Sequence, residues 1–490
     1  MENLLLGIET AVTLINLIYC FLGVLLGTMV GILPGLGPVG AISILLPFTF
    51  ALDDPVTAII FLSGIYYGAQ YGGSTTSILL NLPGETSSVV TAIDGYQMTK
   101  NNRGGIALSI AAIGSFVAGT VGTLVVALVG EPLSKIVYVF GPAEYASLMV
   151  LGLLASISLS NETFSRGLGM VCIGILLGLI GTDIHSGIQR FTLESNNLYN
   201  GISFVILAMG LFGLTEIIVN LFKKNVPTLK TPKLKELYPS MEELKQSTPA
   251  IARGTLVGSI LGFLPGTGTI ISSFASYALE KKISKTPHEF GLGKIQGVAG
   301  PESANNAAAQ TNFIPTLSMG IPGTPVMSLI IAVLIFYGIQ PGPQVISSNP
   351  ELFWGLIVSM WIGNCLLLIL NLPLVGIWIQ ILKIPMVLLF FIIILACIIG
   401  TYSINNNWFD VWLLVPFTFL GLIFRALNCN PAPLILGFVI GPMLEDYFRR
   451  SLAISRGDWM IFLDRPISLV LLSFAASLII ISIVYKRKKF

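Results

Sequence analysis

Long apolar stretches separated by short polar segments dominate the chain. Each of the clearest stretches is about as long as the roughly 17 to 25 residues that cross a hydrocarbon core, and these lie at 142–159, 199–222, 353–376, 384–400 and 467–485. They lack the charged stripe that a helix of a soluble protein carries. The pattern therefore predicts an all-α polytopic membrane protein with about 12 transmembrane helices.

A glycine pattern occurs twice and divides the chain. Glycine recurs every four residues in both copies, at Gly23, Gly27, Gly31 and Gly35 and at Gly254, Gly258, Gly262 and Gly266. Each series runs into a Leu-Pro-Gly-x-Gly sequence, and further along each copy an Ala-Gln pair precedes a second Pro-Gly pair. We therefore expect two homologous transmembrane halves, 1–222 and 254–490 with its C-terminal helix, joined by a polar basic linker at 223–253.

Loop charge predicts that the two halves are inverted relative to each other. The loop at 51–56 has two aspartates and no Lys or Arg, whereas its counterpart at 280–294 carries four lysines. The bias reverses at the next pair of loops, because 97–103 is basic and 338–352 is not. Basic loops favour the cytoplasmic side, so both pairs fit an inverted-topology repeat. Both halves nevertheless end in a basic run, which the symmetric arrangement does not explain.

The Leu-Pro-Gly-x-Gly sequences predict broken helices or re-entrant hairpins within the membrane. Proline lacks an amide proton and glycine relaxes the backbone, so Pro34-Gly35 and Pro265-Gly266 should interrupt their helices. Interrupted backbone is tolerated there only inside protein or beside water. It frees amide groups for an anion and carbonyl groups for a cation. A simple kink remains the alternative for either motif alone.

Two matched polar clusters beside these breaks are the candidate site. Hydroxyls, amides and freed backbone groups can bind carboxylates and sodium, although surface loops or small residues packing between helices would look similar. The predicted substrate-binding residues are Gly35, Leu36, Gly37, Gln70, Gly72, Gly73, Ser74, Thr75, Thr76, Gly266, Thr267, Gly268, Asn305, Asn306, Gln310, Thr311 and Asn312. The predicted coupling-ion residues, which would hold sodium or a proton, are Pro34, Pro265, Glu302, Ser303 and Asn305.

Composition excludes several other classes of protein. Of 490 residues, 54% are hydrophobic and 10% are charged, with a mean hydropathy of +0.85, so much of the surface must face lipid. Five scattered cysteines and two histidines do not form a metal-binding pattern. Residues 35–40 satisfy G-x-G-x-x-G, but a membrane-length segment precedes them instead of a short strand, which argues against dinucleotide binding. No P-loop sequence occurs.

Several long sequence blocks resemble the large membrane subunit of tripartite tricarboxylate transporters, the TctA family. They are Gly31-Ile-Leu-Pro-Gly-Leu-Gly-Pro, Tyr66-Tyr-Gly-Ala-Gln-Tyr-Gly-Gly-Ser-Thr-Thr, Asn81-Leu-Pro-Gly-Glu, Pro301-Glu-Ser-Ala-Asn-Asn-Ala-Ala-Ala-Gln and Gly320-Ile-Pro-Gly. The resemblance implies a multi-pass permease of the bacterial cytoplasmic (inner) membrane. It also implies a small four-helix membrane subunit and a periplasmic solute-binding protein as partners, and coupling to a sodium or proton gradient.

These observations together predict a secondary transporter that takes up tricarboxylates or related small organic acids. An intramembrane enzyme and a passive anion channel are the alternatives. An enzyme would need a nucleophile with its base or a metal cluster, and the sequence has no such pattern. A channel would transport without a gradient. We expect no enzyme activity, no nucleic acid partner, and no cofactor besides the coupling ion.

Overall fold

In this computed structural model, described residues are 2–33, 36–137, 139–159, 163–183, 185–221, 234–264, 268–381 and 386–487. Almost all regular structure among them is helical, which confirms the predicted all-α fold class. The strands described are β1 (Gly181–Thr182) and β2 (Gln189–Arg190), which form one short antiparallel pair in a loop.

The helices up to the linker are α1 (Glu2–Ala11), α2 (Leu14–Gly31), α3 (Gly37–Phe50), α4 (Pro55–Leu80), α5 (Val89–Lys100), α6 (Gly104–Val137), α7 (Pro142–Leu159), α8 (Phe164–Gly178), α9 (Phe204–Ala208) and α10 (Thr215–Leu221). A π-helix (Met209–Leu214) joins α9 to α10. Short 3-10 helices lie at Thr86–Ser88 and Asn196–Leu198.

The later helices are α11 (Met241–Gly262), α12 (Gly268–Ile283), α13 (Gln296–Thr311), α14 (Phe313–Met319), α15 (Pro325–Phe336), α16 (Pro343–Ser348), α17 (Pro350–Asn371), α18 (Val375–Ile381), α19 (Met386–Asn405), α20 (Trp408–Ala426), α21 (Ala432–Ile454), α22 (Ile461–Asp464) and α23 (Pro466–Arg487). Short 3-10 helices lie at Leu234–Leu237 and Pro287–Glu289.

Four of the described helices are long and apolar enough to cross a membrane. They are Leu14–Gly31, Gly104–Lys135, Pro350–Asn371 and Trp408–Ala426. Shorter apolar helices include Gly37–Phe50, Phe164–Gly178 and Pro325–Phe336. The figure of about 12 spanning helices therefore stays a prediction.

The repeated glycines place matching helices in backbone contact. Any side chain at Gly23, Gly27 or Gly31 of α2 would overlap the backbone of α4, at Phe61, Ile65 and Ala69 respectively. In the same way Gly254 and Gly258 of α11 lie on the α13 backbone at Gly300 and Ala304, and Gly262 lies on Ala308. Because no side chain separates these helices, their axes approach closely. The pairs α2–α4 and α11–α13 are therefore packed in the same way.

Part of the predicted linker is helical. Residues 241–253 belong to α11, whose first turn has a capping box in which Ser240 and Glu243 satisfy each other's backbone amides. Only residues 234–240, before α11, are described as connecting structure outside it. The rest of the predicted linker, 223–233, lies outside the described residues. The polar residues that suggested a linker at 241–253 instead form the exposed first turns of a long helix.

Hydrogen bonds and ion pairs gather the loops at two ends of the molecule. At one end, called here the basic end, Asp94 accepts from the backbone of Gly291 and Lys294, and Arg103 pairs with Glu243 at 2.7 Å. At the opposite end the Tyr337 hydroxyl donates to Thr49 O and Leu52 O. Both ends contact α4, whose 26 residues span about 39 Å. This length exceeds the roughly 30 Å of a hydrocarbon core.

Candidate functional site

The two polar segments that the sequence singled out lie inside helices. Residues 70–76 form the later part of α4, and 301–311 form most of α13. The residues Gln70, Ser74, Glu302, Asn305 and Asn312 are each at most 4% exposed. The alternative that these segments are surface loops is therefore wrong. Buried polar groups need partners, and Ser74, Glu302 and Asn305 each have a partner in the other half of the chain.

Glu302 is the centre of one set of contacts. Its Oε2 accepts from the Ser74 hydroxyl at 2.5 Å, and its Oε1 accepts from the Thr91 hydroxyl. Glu302 is 0% exposed, and among the described residues it has no Lys, Arg or His within ion-pair distance. A carboxyl group from the second half is thus held by hydroxyls from the first half. Hydroxyl donors stabilise a carboxylate but do not neutralise it.

Glu85 is a second buried carboxyl close to the first. Its Oε1 accepts from the Asn305 amide at 2.8 Å and from the Ser87 hydroxyl. The side chain is folded over Gly73, where an added Cβ would be 2.9 Å from Glu85 Cγ. Asn305 and Glu302 are three positions apart on α13 and therefore share one face of it. Both acids belong to one polar cluster between the halves.

Several buried oxygens in this region have no hydrogen-bond partner among the residues that the structure describes. They are Asn305 Oδ1, Gln310 Oε1 and Asn312 Oδ1. The orientation of two of these amides follows from their nitrogens, because Asn305 Nδ2 donates to Glu85 and Asn312 Nδ2 donates to Ala308 O. The free atoms are therefore acceptors. An acceptor suits a cation or a donor group of a ligand, whereas a carboxylate would need donors.

Other predicted site residues face neighbouring helices. Gly72 lies on the α2 backbone at Thr28. Ser303 donates to Ala299 O in its own helix, and Asn306 donates to Ser115 of α6 at 2.7 Å. The side chain of Gln310 lies against Gly122 of α6. These residues line the interfaces around the cluster. Their described side-chain hydrogen bonds do not reach the carboxyl groups of Glu302 or Glu85, and Asn306 bonds to the Glu302 backbone.

The remaining predicted residues lie at the helix ends. Gly37, with φ of 60°, begins α3, and Leu36 before it is buried. Thr76 donates to Gly73 O at 3.2 Å, Thr311 packs on Gly262, and Thr75 is buried. Gly268 begins α12 beside Asn312. Pro34, Gly35, Pro265, Gly266 and Thr267 lie outside the described residues.

Helices end on both sides of each Pro-Gly motif. In the first half α2 ends at Gly31 and α3 begins at Gly37, and in the second half α11 ends at Gly262 and α12 begins at Gly268.

The next Pro-Gly pair in each half follows a helix that ends in the same conformation. Asn81 and Gly320 are left-handed, with φ of 58° and 73°, and each bonds its amide to a carbonyl five residues earlier. Glu85 and Thr324 then occupy matching extended positions.

Sequence reasoning missed five residues of this region: Tyr66, Ser87, Thr91, Thr324 and, as a site residue, Glu85. Glu85 had a usable signal, because it directly follows the second Pro-Gly pair. Tyr66 is 1% exposed, and its hydroxyl lies beside the side chains of Gln70, Asn312 and Thr324. Nothing in the local sequence marks Tyr66 or Thr91, because their roles depend on contacts across the halves.

Comparison with known proteins identifies the family. The model described as "Tripartite tricarboxylate transporter TctA family" matches residues 17–436. An Agrobacterium vitis protein, described as an uncharacterized 52.8 kDa protein in the TAR-I ttuC' 3' region, is 54% identical over 482 residues, covering 98% of this chain and 96% of its own length.

Two further relatives are more partial or more distant. An uncharacterized protein in the TAR-II ttuC' 3' region of Agrobacterium vitis is 56% identical over 226 residues, which is 46% of this chain and 93% of that protein. An uncharacterized protein of Methanocaldococcus jannaschii is 24% identical over 456 residues, which is 89% of this chain and 100% of that protein. The predicted family is confirmed by the match over most of the chain: this is a membrane transport protein that belongs to the tripartite tricarboxylate transporter TctA family.

Proposed function

We propose that the chain is the permease subunit of a binding-protein-dependent secondary transporter in a bacterial inner membrane. Its substrates are tricarboxylates or related small organic acids, taken up by symport with sodium ions or protons. A small four-helix membrane subunit and a periplasmic solute-binding protein complete the system. The observation that carries this proposal is the buried Glu302 carboxyl, which is held by hydroxyls and lacks a cationic partner among the described residues.

Burying an ionised carboxylate without a cationic partner destabilises the folded protein. Transfer of an isolated ionised group into protein costs several kcal/mol or more, so the group takes up a proton or pairs with a cation instead. Glu302 and Glu85 both meet this description. Ionisable residues inside a membrane are functional candidates for the same reason. Both carboxyls therefore fit the binding of a coupling ion that enters and leaves during each transport cycle.

In this proposal the substrate anion binds to backbone amide donors near these carboxyls. The starts of α3 and α12 present amide groups at the positive ends of helix dipoles. A Cβ added at Gly37 would be 4.0 Å from Glu85 Cβ, and Gly268 lies beside Asn312. A cation held at the carboxyls would reduce their repulsion of the anion. Substrate binding would then depend on the coupling ion.

The inverted arrangement of the halves is supported by reciprocal contacts. Asp94 on α5 of the first half holds the backbone that follows α12 in the second half, at the basic end. Tyr337, after α15 of the second half, holds the backbone that follows α3 in the first half, at the opposite end. Reciprocal contacts are what two copies related by a two-fold axis would make. An axis in the membrane plane is the relation between inverted repeats.

In this proposal the basic end of the molecule lies in the cytoplasm. Lys100, Arg103 and Lys294 lie there, and Asp53 and Asp54 lie at the opposite end, in agreement with the preference of basic loops for the cytoplasmic side. Alternating access would move one part of each half relative to a scaffold, so that the cluster opens to one end at a time.

The test is uptake into liposomes that contain the full chain and its small subunit, with the binding protein outside. With labelled citrate and an inward sodium or proton gradient, we expect accumulation above the external concentration. The initial uptake rate of the Glu302→Gln variant should be at least about tenfold lower, because a neutral amide binds a cation poorly. Glu280→Gln is the matched control. Glu280 is a buried carboxyl too, but Arg253 pairs with it at 2.7 Å and 2.8 Å.

The control variant should transport at close to the normal rate. Equal loss in both variants would show a general effect of removing a buried carboxyl and would remove the role of Glu302. Uptake that stops at the external concentration would identify a passive channel. Conversion of the labelled substrate to another compound would identify an enzyme.

A further inference from the structure

Asn312 carries a buried oxygen that is free to bind a ligand. The residue is 0% exposed and lies between α13 and α14. Its Nδ2 donates to Ala308 O at 2.8 Å, which fixes the orientation of the amide, while Oδ1 has no hydrogen-bond partner in the part of the chain that the structure describes. A buried acceptor without a partner costs about 1–3 kcal/mol. A donor group or a cation that binds at this oxygen would remove that cost.

Two more neutral oxygens lie around this amide. The Tyr66 hydroxyl lies beside the side chains of Asn312 and Thr324. Thr324 is 6% exposed, and its Oγ1 accepts from Met327 N at 3.3 Å, with a lone pair remaining. Gly323 packs so closely on Asn312 Oδ1 that a Cβ there would overlap it, and Gly268 lies on the other side of the amide. The oxygens are thus enclosed by backbone without side chains.

The first half has the same backbone arrangement around its second Pro-Gly pair, called here the frame, but different side chains. The matching helix ends place Gly73 where Asn312 stands and Glu85 where Thr324 stands. In the first half the long Glu85 side chain supplies the oxygen and Gly73 leaves room for it. In the second half Asn312 supplies the oxygen and Thr324 is short. The two frames therefore present an acidic site and a neutral site.

We propose that Asn312 Oδ1, Thr324 Oγ1 and Tyr66 Oη form a second cation site, specific for a sodium ion, distinct from the carboxyl site of Glu302 and Glu85. Hard cations prefer such oxygen ligands. A carboxylate can accept either a proton or sodium, but an amide oxygen does not take up a proton near neutral pH. The second site therefore requires a metal ion. The inference rests on the proposed function, and it means that at least one sodium ion binds in addition to the ion at the carboxyls.

The site can be tested by sodium binding without any substrate. The full chain is purified in detergent and its thermal unfolding is measured against NaCl, with choline chloride replacing it at constant ionic strength. A ligand that binds the folded state raises the unfolding temperature. We expect a sodium-dependent rise, and Asn312→Ala and Thr324→Val should each raise the half-saturating sodium concentration at least tenfold. Thr324→Ser keeps the hydroxyl and should stay near the original value.

Asn364→Ala is the matched control, because Asn364 is also a buried asparagine but its Oδ1 accepts from Tyr71. It should lower the unfolding temperature without changing the half-saturating concentration. Glu302→Gln should retain a sodium-dependent rise that disappears when Asn312→Ala is added. The proposal is overturned if the original chain shows no sodium-specific rise, if the Asn312 and Thr324 variants bind sodium normally, or if Glu302→Gln alone abolishes the rise. Failure of citrate accumulation would instead remove the proposed transport function and leave this binding result intact.

Discussion

The two halves use one backbone arrangement and different side chains. In each half a glycine-lined helix packs on a polar helix, and a left-handed residue leads through Pro-Gly to an extended position. That position holds an acid in the first half, Glu85, and a hydroxyl in the second half, Thr324. In the proposal made above, this backbone arrangement provides one ligand position in each half, and the side chains decide what binds in each.

The contacts between the halves differ in the same way. At the basic end the Asp94 carboxylate accepts hydrogen bonds from three backbone amides, those of Gly291, Gly293 and Lys294, and this contact is called here the Asp94 latch. The Tyr337 latch is a neutral hydroxyl that donates to two carbonyls. Hydrogen bonds to a charged group contribute more than neutral ones. The basic end should therefore be held more tightly than the opposite end.

The largest expected effect tests whether the glycine series are equivalent. In Gly27→Leu the new side chain would overlap Ile65 O, and in Gly258→Leu it would overlap Ala304 O. Since both collisions are with backbone, neither can be relieved by a rotamer change. Each variant should lose about 3 kcal/mol or more and yield little folded protein. The measurement is the amount of monodisperse protein recovered from detergent extracts and its unfolding temperature.

Gly169→Leu is the control for this pair. No atom of the described residues lies within 4 Å of a Cβ at Gly169 of α8, so leucine there should be tolerated. If either Gly27→Leu or Gly258→Leu behaved like the control, the two helix pairs would not be equivalent, and the repeat would have to be drawn differently.

An intermediate effect tests the exchange of chemistry between the frames. Gly73→Asn places an amide where the second half has Asn312, but its Cβ would be 2.9 Å from Glu85 Cγ. This variant alone should lose about 1–3 kcal/mol through overpacking. Adding Glu85→Thr copies the second half and removes the collision, so thermal unfolding in detergent should recover at least half of the loss. The coupling in this double-mutant cycle measures their contact.

Gly72→Asn serves as the control for the cycle. Gly72 lies on α2 at Thr28, away from Glu85, so Glu85→Thr should not rescue it. Equal rescue of both asparagine variants would mean that Glu85→Thr stabilises the chain in general. The correspondence between Gly73 and Asn312 would then lose its support.

Much of this frame could be predicted from the sequence. The repeated glycines and Pro-Gly pairs are local signals with a direct cause in backbone conformation. The partners of the polar residues could not be predicted, because Ser74 and Glu302 are 228 positions apart and meet only after the halves pack. The helical pattern of 241–253 was hidden by polar residues that suggested a linker. Single residues such as Thr91 carry no local signal of a contact across the halves.

The smallest losses of stability should come from removing the two latches. The test asks whether loss of the Asp94 latch costs more than loss of the Tyr337 latch. Asp94→Ala removes the acceptor of three backbone amides and should cost about 2–3 kcal/mol, because those amides can partly turn to water. Tyr337→Phe removes bonds of 2.6 Å and 2.7 Å to carbonyls at the opposite end and should cost about 1 kcal/mol.

Hydrogen exchange locates each effect and separates local from global loss. Exchange should rise at 289–297 in Asp94→Ala and at 49–54 in Tyr337→Phe, with little change at the other end. Asp94→Asn is the intermediate case, because its remaining oxygen can still accept the three amides without the full charge. Since each latch joins one half to the other, each variant should also show whether that end can open alone. If exchange rose at both ends in either variant, the two latches would act as one cooperative unit, and the independence of the two ends would be lost.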